Sequence, residues 1–130
     1  MRDYKKWTAE QRNKSLSQTR VARRMGIIPP PSRCCFCGQE KGIIHYHNVD
    51  YDVSLRIQPK LIAGNATNEE KEELMSVLKQ VCWRCHMMLH KEERHPKSAE
   101  KYFEAIKNGV RYTPVYRGNA WEELDQFMID

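Results

Sequence analysis

Apolar residues recur at helical spacing in the middle of the chain. Leucine and valine residues have the spacing i, i+3, i+4 and i+7, namely Leu74, Val77, Leu78 and Val81. This spacing places side chains on one buried helix face. Residues 67–70 read Thr-Asn-Glu-Glu, a capping box in which the Thr and the last Glu satisfy each other's backbone N–H groups. We therefore predict a helix opening at Thr67 and running through Gln80. Residues 52–66 are interrupted by proline, glycine and asparagine, and we expect them to be irregular.

A second capping box, Thr8–Gln11, predicts an N-terminal helix, and Gly26 stands where a helix C-terminus belongs. The apolar stripe of this helix is thin. Pro29–Pro31 follows as a stiff, extended spacer. Such a helix could equally well lie along the phosphates of a nucleic acid or be exposed to solvent without a partner. Its surface is dominated by basic residues, namely Arg12, Lys14, Arg20, Arg23 and Arg24.

The remaining elements are shorter. Ile43–Val49 alternates loosely and contains β-branched residues, which predicts a strand. Helices are predicted over residues 86–93 and 98–107, and an extended piece over 110–117 leads to a last helix capped by Asn119. The apolar face of that last helix consists of Trp121, Leu124, Phe127 and Met128.

Charge is unevenly distributed along the chain. The formal net charge is +5, yet residues 1–41 hold ten Lys/Arg against three acids, so the remainder carries −2. A basic N-terminal arm indicates an anionic partner, above all nucleic acid, although charge alone fits a solvated tail equally well. Residues 1–26 lack the apolar core of a signal peptide, and no apolar run approaches membrane-spanning length. We expect a soluble, cytoplasmic protein with no membrane attachment.

Cysteines occur as two C-x-x-C pairs, Cys34/Cys37 and Cys82/Cys85, with Cys35 left over. Two such pairs can enclose one tetrahedral zinc ion. The C-x-x-C spacing and the neighbouring histidines favour metal binding in a reducing compartment over a disulfide framework. The standard spacing to Cys37 favours Cys34 over Cys35 as a ligand.

Four of the five histidines lie close to these pairs in sequence. His86 and His90 are four residues apart, so on a helix both rings project from one face. His45 and His47 are two apart, so on a strand they share one face. The pattern predicts a second metal position beside the cysteine site.

The motifs C-x-x-C-G, H-N-V-D-Y and V-C-W-R-C-H-x-x-x-H together resemble the HNH, or ββα-metal, nuclease family, particularly its small phage-type members. The resemblance covers residues 34–51 and 81–90. It implies an α+β fold, in which a small ββα-metal core with a four-cysteine zinc site is elaborated by flanking α-helices. The implied organisation has three parts: a basic helical arm and proline-rich spacer over 1–31, a zinc-binding core over 32–95 with a helical insertion over about 52–80, and a C-terminal helical extension over 96–130.

The resemblance also implies a function, namely metal-dependent DNA endonuclease activity that hydrolyses phosphodiester bonds. Carried over position by position, His47, His86 and His90 fall on the ligands of a catalytic divalent ion, which would be Mg²⁺, Mn²⁺, Ni²⁺ or Zn²⁺. DNA is the implied partner, and the basic arm is the candidate contact surface. The structural Zn²⁺ positions of the family fall on Cys34, Cys37, Cys82 and Cys85.

One position departs from the family pattern. Asn48 stands where the family has its general base, and an amide cannot accept a proton at neutral pH. In one interpretation, His45 on the same strand serves as the base and joins the candidate catalytic residues. In another, the centre is degenerate and the fold is a DNA-binding or protein-binding zinc module, the last helix docking its Trp121/Phe127 face on a partner. In a third interpretation, His86 and His90 are ordinary helix residues that bind no metal, and one zinc ion stabilises a small fold.

Overall fold

The computed structural model describes residues 5–130, in which the chain forms six helices and two strands. None of the helices in this range is both long and apolar enough to cross a membrane. In chain order the elements are α1 (Ala9–Arg24), β1 (Ile44–Asn48), α2 (Tyr51–Ile62), α3 (Asn68–Val77), β2 (Leu78–Cys82), α4 (Trp83–Lys91), α5 (Pro96–Lys107) and α6 (Glu122–Asp125).

The chain divides into two compact units that interleave in sequence. Unit 1 comprises the residues up to Pro30 together with Asn48–Lys79. Unit 2 comprises Pro31–His47 and Gln80–Asp130. Both strands therefore contribute residues to both units. The three-part organisation inferred from the sequence stays a prediction.

The two strands pair with each other in a two-stranded antiparallel sheet. The Trp83 N–H donates to the Ile43 carbonyl and the Val49 N–H to the Val77 carbonyl, so residue numbers rise on β1 as they fall on β2. The predicted strand over 43–49 is confirmed to within one residue at each end. The mixed α/β character predicted from the sequence is confirmed as well.

Unit 1 begins with α1, whose predicted capping box is complete. The Gln11 N–H donates to Thr8 Oγ1 at 3.1 Å, and the Thr8 N–H donates to Gln11 Oε1 at 2.9 Å. Gly26, with φ of +77°, lies just beyond the helix in a conformation that glycine adopts without a Cβ penalty. Helix α1 packs against α2. Its buried residues are small and partly polar, namely Ser15, Thr19 and Ala22.

The prediction of an irregular segment over 52–66 was wrong, because Tyr51–Ile62 forms helix α2. Asp50 caps this helix by accepting hydrogen bonds from the N–H groups of Asp52 and Val53. Half of the buried face is polar, so an apolar periodicity was absent. That face consists of Ser54, Ile57, Gln58 and Leu61.

The prediction of one helix through Gln80 was wrong at its C-terminal end. Helix α3 has the predicted capping box, with Thr67 and Glu70 bonded reciprocally, but it ends at Val77. Leu78–Cys82 is instead strand β2. Pairing with β1, a contact between distant parts of the chain, takes precedence over the helical spacing of its apolar residues.

Unit 2 packs its core around helices α4 and α5. Helix α4 begins three residues before the predicted position, and α5 begins at Pro96 rather than at residue 98. The predicted last helix is reduced to the four residues of α6, with Leu124 buried and Trp121 half exposed beside Trp83. The largest buried side chains of this core are Trp83, Tyr102, Met88 and Leu124.

Candidate metal centres

The two cysteine pairs converge in unit 2. The Sγ atoms of all four cysteines lie within 4.8 Å of one another, and none forms a disulfide. The Sγ atoms of Cys37 and Cys82 are 3.7 Å apart. In a tetrahedral site with Zn–S bonds of about 2.3 Å, two sulfurs lie about 3.8 Å apart. The group, formed by Cys34, Cys37, Cys82 and Cys85, is therefore close enough to hold a metal ion.

A tight turn positions the first cysteine pair, and a helix N-terminus positions the second. The first pair lies in a tight turn, where the Gly38 N–H donates to the Cys34 carbonyl at 2.9 Å and Gly38 has a left-handed φ of +76°. The second pair lies at the start of α4, where Cys82 is the N-cap and its Sγ accepts from the Cys85 N–H at 3.5 Å. A helix N-terminus favours the thiolate form through its exposed N–H dipoles.

The structure also distinguishes between the adjacent cysteines of the first pair. Cys34 is buried and belongs to the four-sulfur group, whereas Cys35 is exposed and lies outside it. The backbone N–H of Cys35 donates to the Gln80 carbonyl at 2.8 Å. This placement agrees with the C-x-x-C spacing, which favoured Cys34.

Crowding of the thiols separates their pKa values. Hydrogen bonds from the other three thiols push the pKa of Cys34 far below its ordinary value. Hydrogen bonding to Cys34 raises the pKa of Cys82 and Cys85 instead, and burial adds to the effect. Without a cation the four groups cannot all ionise together, so a divalent ion would displace protons from the group as it binds.

Tyr102 is a residue of this centre that the sequence did not identify, because no motif connects it with the cysteines. Its hydroxyl lies 3.2 Å from Cys85 Sγ, and the side chain is 2 % exposed. Burial, followed by the nearby Cys85 thiol, raises the pKa of Tyr102 well above its ordinary value, so the phenol stays protonated. It can therefore donate a hydrogen bond to a thiolate ligand, an outer interaction that tunes metal sites.

Three histidines form a second group in the same unit. The ligand nitrogens of His47, His86 and His90 lie within 4.8 Å of one another. His86 and His90 are one turn apart on α4, with their Nε2 atoms separated by 3.0 Å, and the ring of His47 lies 5.2 Å from each of theirs. His47 is buried on β1 and the other two are half-buried. The structure thus brings together the three residues that the resemblance singled out.

His45 lies beside this group without belonging to it. Its Nδ1 is 3.1 Å from Nδ1 of His86, and the two rings meet nearly edge to face at 78°. His45 and His47 lie two residues apart on β1 and share one face of the strand, as the spacing predicted.

Asn48 projects from the opposite face of β1, into unit 1. Its amide nitrogen donates to Ser15 Oγ at 3.2 Å and also to Ser54 Oγ, while its Oδ1 accepts from the Asp50 N–H at 3.0 Å. The side chain is buried. Asn48 therefore ties α1, α2 and the end of β1 together within unit 1.

The basic residues predicted to contact nucleic acid lie on α1 in two settings. The arginines Arg20, Arg23 and Arg24 are exposed and line a cavity of about 320 Å³ with Pro30. Lys14 is exposed as well. Arg12 differs, because it is half-buried with its guanidinium 5.9 Å from the ring centre of Tyr51.

Comparisons of the chain with protein-family models, curated proteins and solved structures returned no match. The resemblance to HNH nucleases therefore rests on the sequence motifs, and it stays a prediction.

Proposed function

We propose that the chain is a metal-dependent phosphodiester hydrolase of the HNH type that acts on DNA. The observation that carries this proposal is the convergence of His47 from β1 with His86 and His90 from α4. The four-cysteine group lies at the start of the same helix. Four cysteines complete the coordination of a tetrahedral ion, whereas three histidines leave a position open to a substrate oxygen.

The cysteine group would hold a structural Zn²⁺ in this proposal. Soft thiolate ligands select zinc over the hard divalent cations. The ion would join the turn at Cys34–Cys37 to the junction of β2 and α4, two parts of unit 2 that are distant in sequence. A small core of this kind gains folding free energy directly from such an ion.

The histidine group would hold the second divalent ion. Such an ion would polarise a phosphoryl oxygen and offset the negative charge that develops there during hydrolysis. The ligands are fixed by regular structure, since two lie one turn apart on α4 and the third is buried on β1. Imidazole ligands favour Ni²⁺ or Zn²⁺ over Mg²⁺ or Mn²⁺ among the ions that the resemblance allows.

The exposed basic residues of α1 would contact the phosphates of DNA. Lys14 and the arginine-lined cavity of Arg20, Arg23 and Arg24 supply this surface within unit 1. Arg12 is left out of the contact surface, because its guanidinium is placed against the ring of Tyr51. Contacts of this kind carry affinity rather than sequence preference, and they weaken steeply with salt.

A second candidate is a catalytically degenerate HNH zinc module that binds DNA or a protein partner without turnover. It is favoured by Asn48, whose amide is buried and bonded to Ser15 and Ser54. The position of the family's general base therefore offers no proton acceptor. Loss of a general base lowers the rate of hydrolysis by about 10²–10⁴-fold. Only a cleavage assay therefore distinguishes a slow enzyme from an inactive one.

Nicking of supercoiled plasmid DNA tests the proposal. Purified protein with the cysteine group loaded would be assayed with Mg²⁺, Mn²⁺, Ni²⁺ and Zn²⁺, beside His90→Ala and the control His95→Gln. His95 follows α4 in sequence and does not belong to the histidine group, and its Nδ1 lies 2.7 Å from the Asp130 carbonyl oxygen. We expect nicking that is lost in His90→Ala and kept in His95→Gln. Salt-sensitive DNA binding without nicking in any of the four ions would favour the second candidate.

A further inference from the structure

We propose that His45 is a positioning residue, which holds His86 in the tautomer that directs its Nε2 lone pair toward a shared ion. The inference rests on the proposed function only in requiring an ion at the histidine group, and it does not require turnover. It assigns His45 a role different from that of the general base suggested by its place on the strand.

The two ring nitrogens of His86 face different partners. Its Nδ1 lies 3.1 Å from Nδ1 of His45, and its Nε2 lies 3.0 Å from Nε2 of His90. Both distances are within hydrogen-bonding range. The His86 ring therefore bridges the strand histidine on one side and the helix histidine on the other.

The position of one proton decides what His86 can do. A neutral imidazole carries a single N–H, and a hydrogen bond between the two Nδ1 atoms needs one donor and one acceptor. If His45 donates, the proton of His86 lies on Nε2 and points at His90, so that nitrogen has no lone pair for a metal. If His86 donates from Nδ1, its Nε2 lone pair faces Nε2 of His90. Only the second arrangement lets His86 ligate.

The same proton fixes the tautomer of His45. When its Nδ1 accepts from His86, the proton of His45 lies on Nε2. That nitrogen is then a donor, and the lone pair that could take up a proton is already engaged with His86. His45 therefore orients a ligand and does not act as a base. This is the outer partner that histidine ligands generally have, supplied here by imidazole in place of a carboxylate or a carbonyl.

Loss of this partner has a measurable consequence. Removing the outer hydrogen-bond partner of a histidine ligand typically weakens metal binding by about 10–100-fold. His45→Phe keeps a flat ring but removes the acceptor, and His45→Gln supplies a carbonyl oxygen that can accept from His86. We expect His45→Phe to weaken the ion at the histidine group by about 10–100-fold and His45→Gln to recover part of the loss. The ion at the cysteine group is expected to keep its affinity in both variants.

Two measurements test this role. Competition with a chromophoric chelator, using Zn²⁺ and Co²⁺ alone, would give the affinity of each ion in the wild type, His45→Phe, His45→Gln and the control His95→Gln. Nitrogen-15 NMR of the imidazoles in the zinc-loaded protein would give the tautomers directly. We expect His86 to be protonated at Nδ1 and ligated through Nε2, and His45 to be protonated at Nε2.

The outcomes separate this inference from the proposed function. Direct ligation by His45, a proton on Nε2 of His86, or unchanged affinity in His45→Phe would overturn the positioning role alone. A wild-type protein that binds an ion only at its cysteines would overturn both. Two ions per chain, the expected tautomers and no DNA cleavage would leave the positioning role standing and remove the hydrolase.

Discussion

The Sγ atoms of Cys37 and Cys82 lie 3.7 Å apart, although the two residues are 45 positions apart in sequence. This separation is far longer than the about 2.05 Å of a disulfide and close to that of two thiolates sharing one tetrahedral ion. An ion at this point would connect the turn before β1 to the start of α4. Because His86 and His90 lie on α4, the geometry of the histidine group would depend on the cysteine group.

Removal of the ion from the cysteine group should unfold the structure built around it. We expect chelation at neutral pH to abolish much of the helical circular dichroism, because structural zinc sites contribute folding free energy directly. Addition of Zn²⁺ should restore the signal. Full helicity after complete chelation, verified by elemental analysis, would contradict this prediction.

Substitution of the two adjacent cysteines should have opposite results. Cys34→Ser removes a buried sulfur of the four-cysteine group, whereas Cys35→Ser changes an exposed side chain outside it. We expect Cys34→Ser to lose the structural ion and Cys35→Ser to retain it, as measured by native mass spectrometry. Retention of the ion by Cys34→Ser and its loss in Cys35→Ser would reverse the assignment.

Asn48 should matter for stability and not as a substitute for the general base. Asn48→Ala leaves the hydroxyls of Ser15 and Ser54 without their amide partner, and we expect a loss of about 1–3 kcal/mol in the free energy of unfolding. Asn13→Ala, at an exposed position on helix α1, which also carries Ser15, is the control and should change little. Urea denaturation of the zinc-loaded protein measures both.

A histidine introduced at position 48, where the HNH pattern has its general base, should likewise fail to supply a base. In Asn48→His the imidazole would enter the buried polar cluster of unit 1, on the opposite face of β1 from His47. We expect a less stable protein with no gain in nicking. A faster rate of about tenfold or more, within the range a general base supplies, would show that position 48 reaches the substrate.

DNA affinity should depend on the arginines of α1. We expect replacement of Arg20, Arg23 and Arg24 by Gln to weaken binding to duplex DNA. A plot of log affinity against log salt concentration has a negative slope. This slope should become shallower by about 0.9 for each phosphate that the protein no longer neutralises. Fluorescence anisotropy over a salt series measures this slope. The control replaces an equal number of exposed lysines on α5, namely Lys97, Lys101 and Lys107. Equal slopes in the two variants would exclude α1 as the specific contact surface.

Features encoded by short sequence patterns were predictable. Both capping boxes, at Thr8 and Thr67, start helices as expected, since their hydrogen bonds join residues three apart. The C-x-x-C pairs and the helix histidines were recognisable for the same reason, because each spacing fixes which side chains share a turn or a helix face. The spacing also indicated that the two cysteine pairs could enclose one ion, whereas the grouping of His47 with His86 and His90 came from the resemblance.

Features that depend on distant partners were not predictable. Strand β2 carries helical apolar spacing and becomes a strand only through pairing with β1. Helix α2 buries Ser54 and Gln58, and Gln58 donates to Thr19 of α1, so its inner face reads as polar in sequence. Pro59 inside α2 added a false signal for a break. The Asp50 N-cap was the signal that could have revealed this helix.

DNA cleavage is proposed to depend on an ion held by His47, His86 and His90, and a metal titration of plasmid nicking tests this dependence most directly. Metal-free protein would receive Zn²⁺ until the cysteine group is filled, then Ni²⁺ or Zn²⁺ in increments, with ion occupancy measured at each step. We predict that nicking appears only as the second site fills and is absent throughout in His90→Ala. A filled second site with no nicking, or nicking by His90→Ala equal to that of the wild type, would contradict the claim.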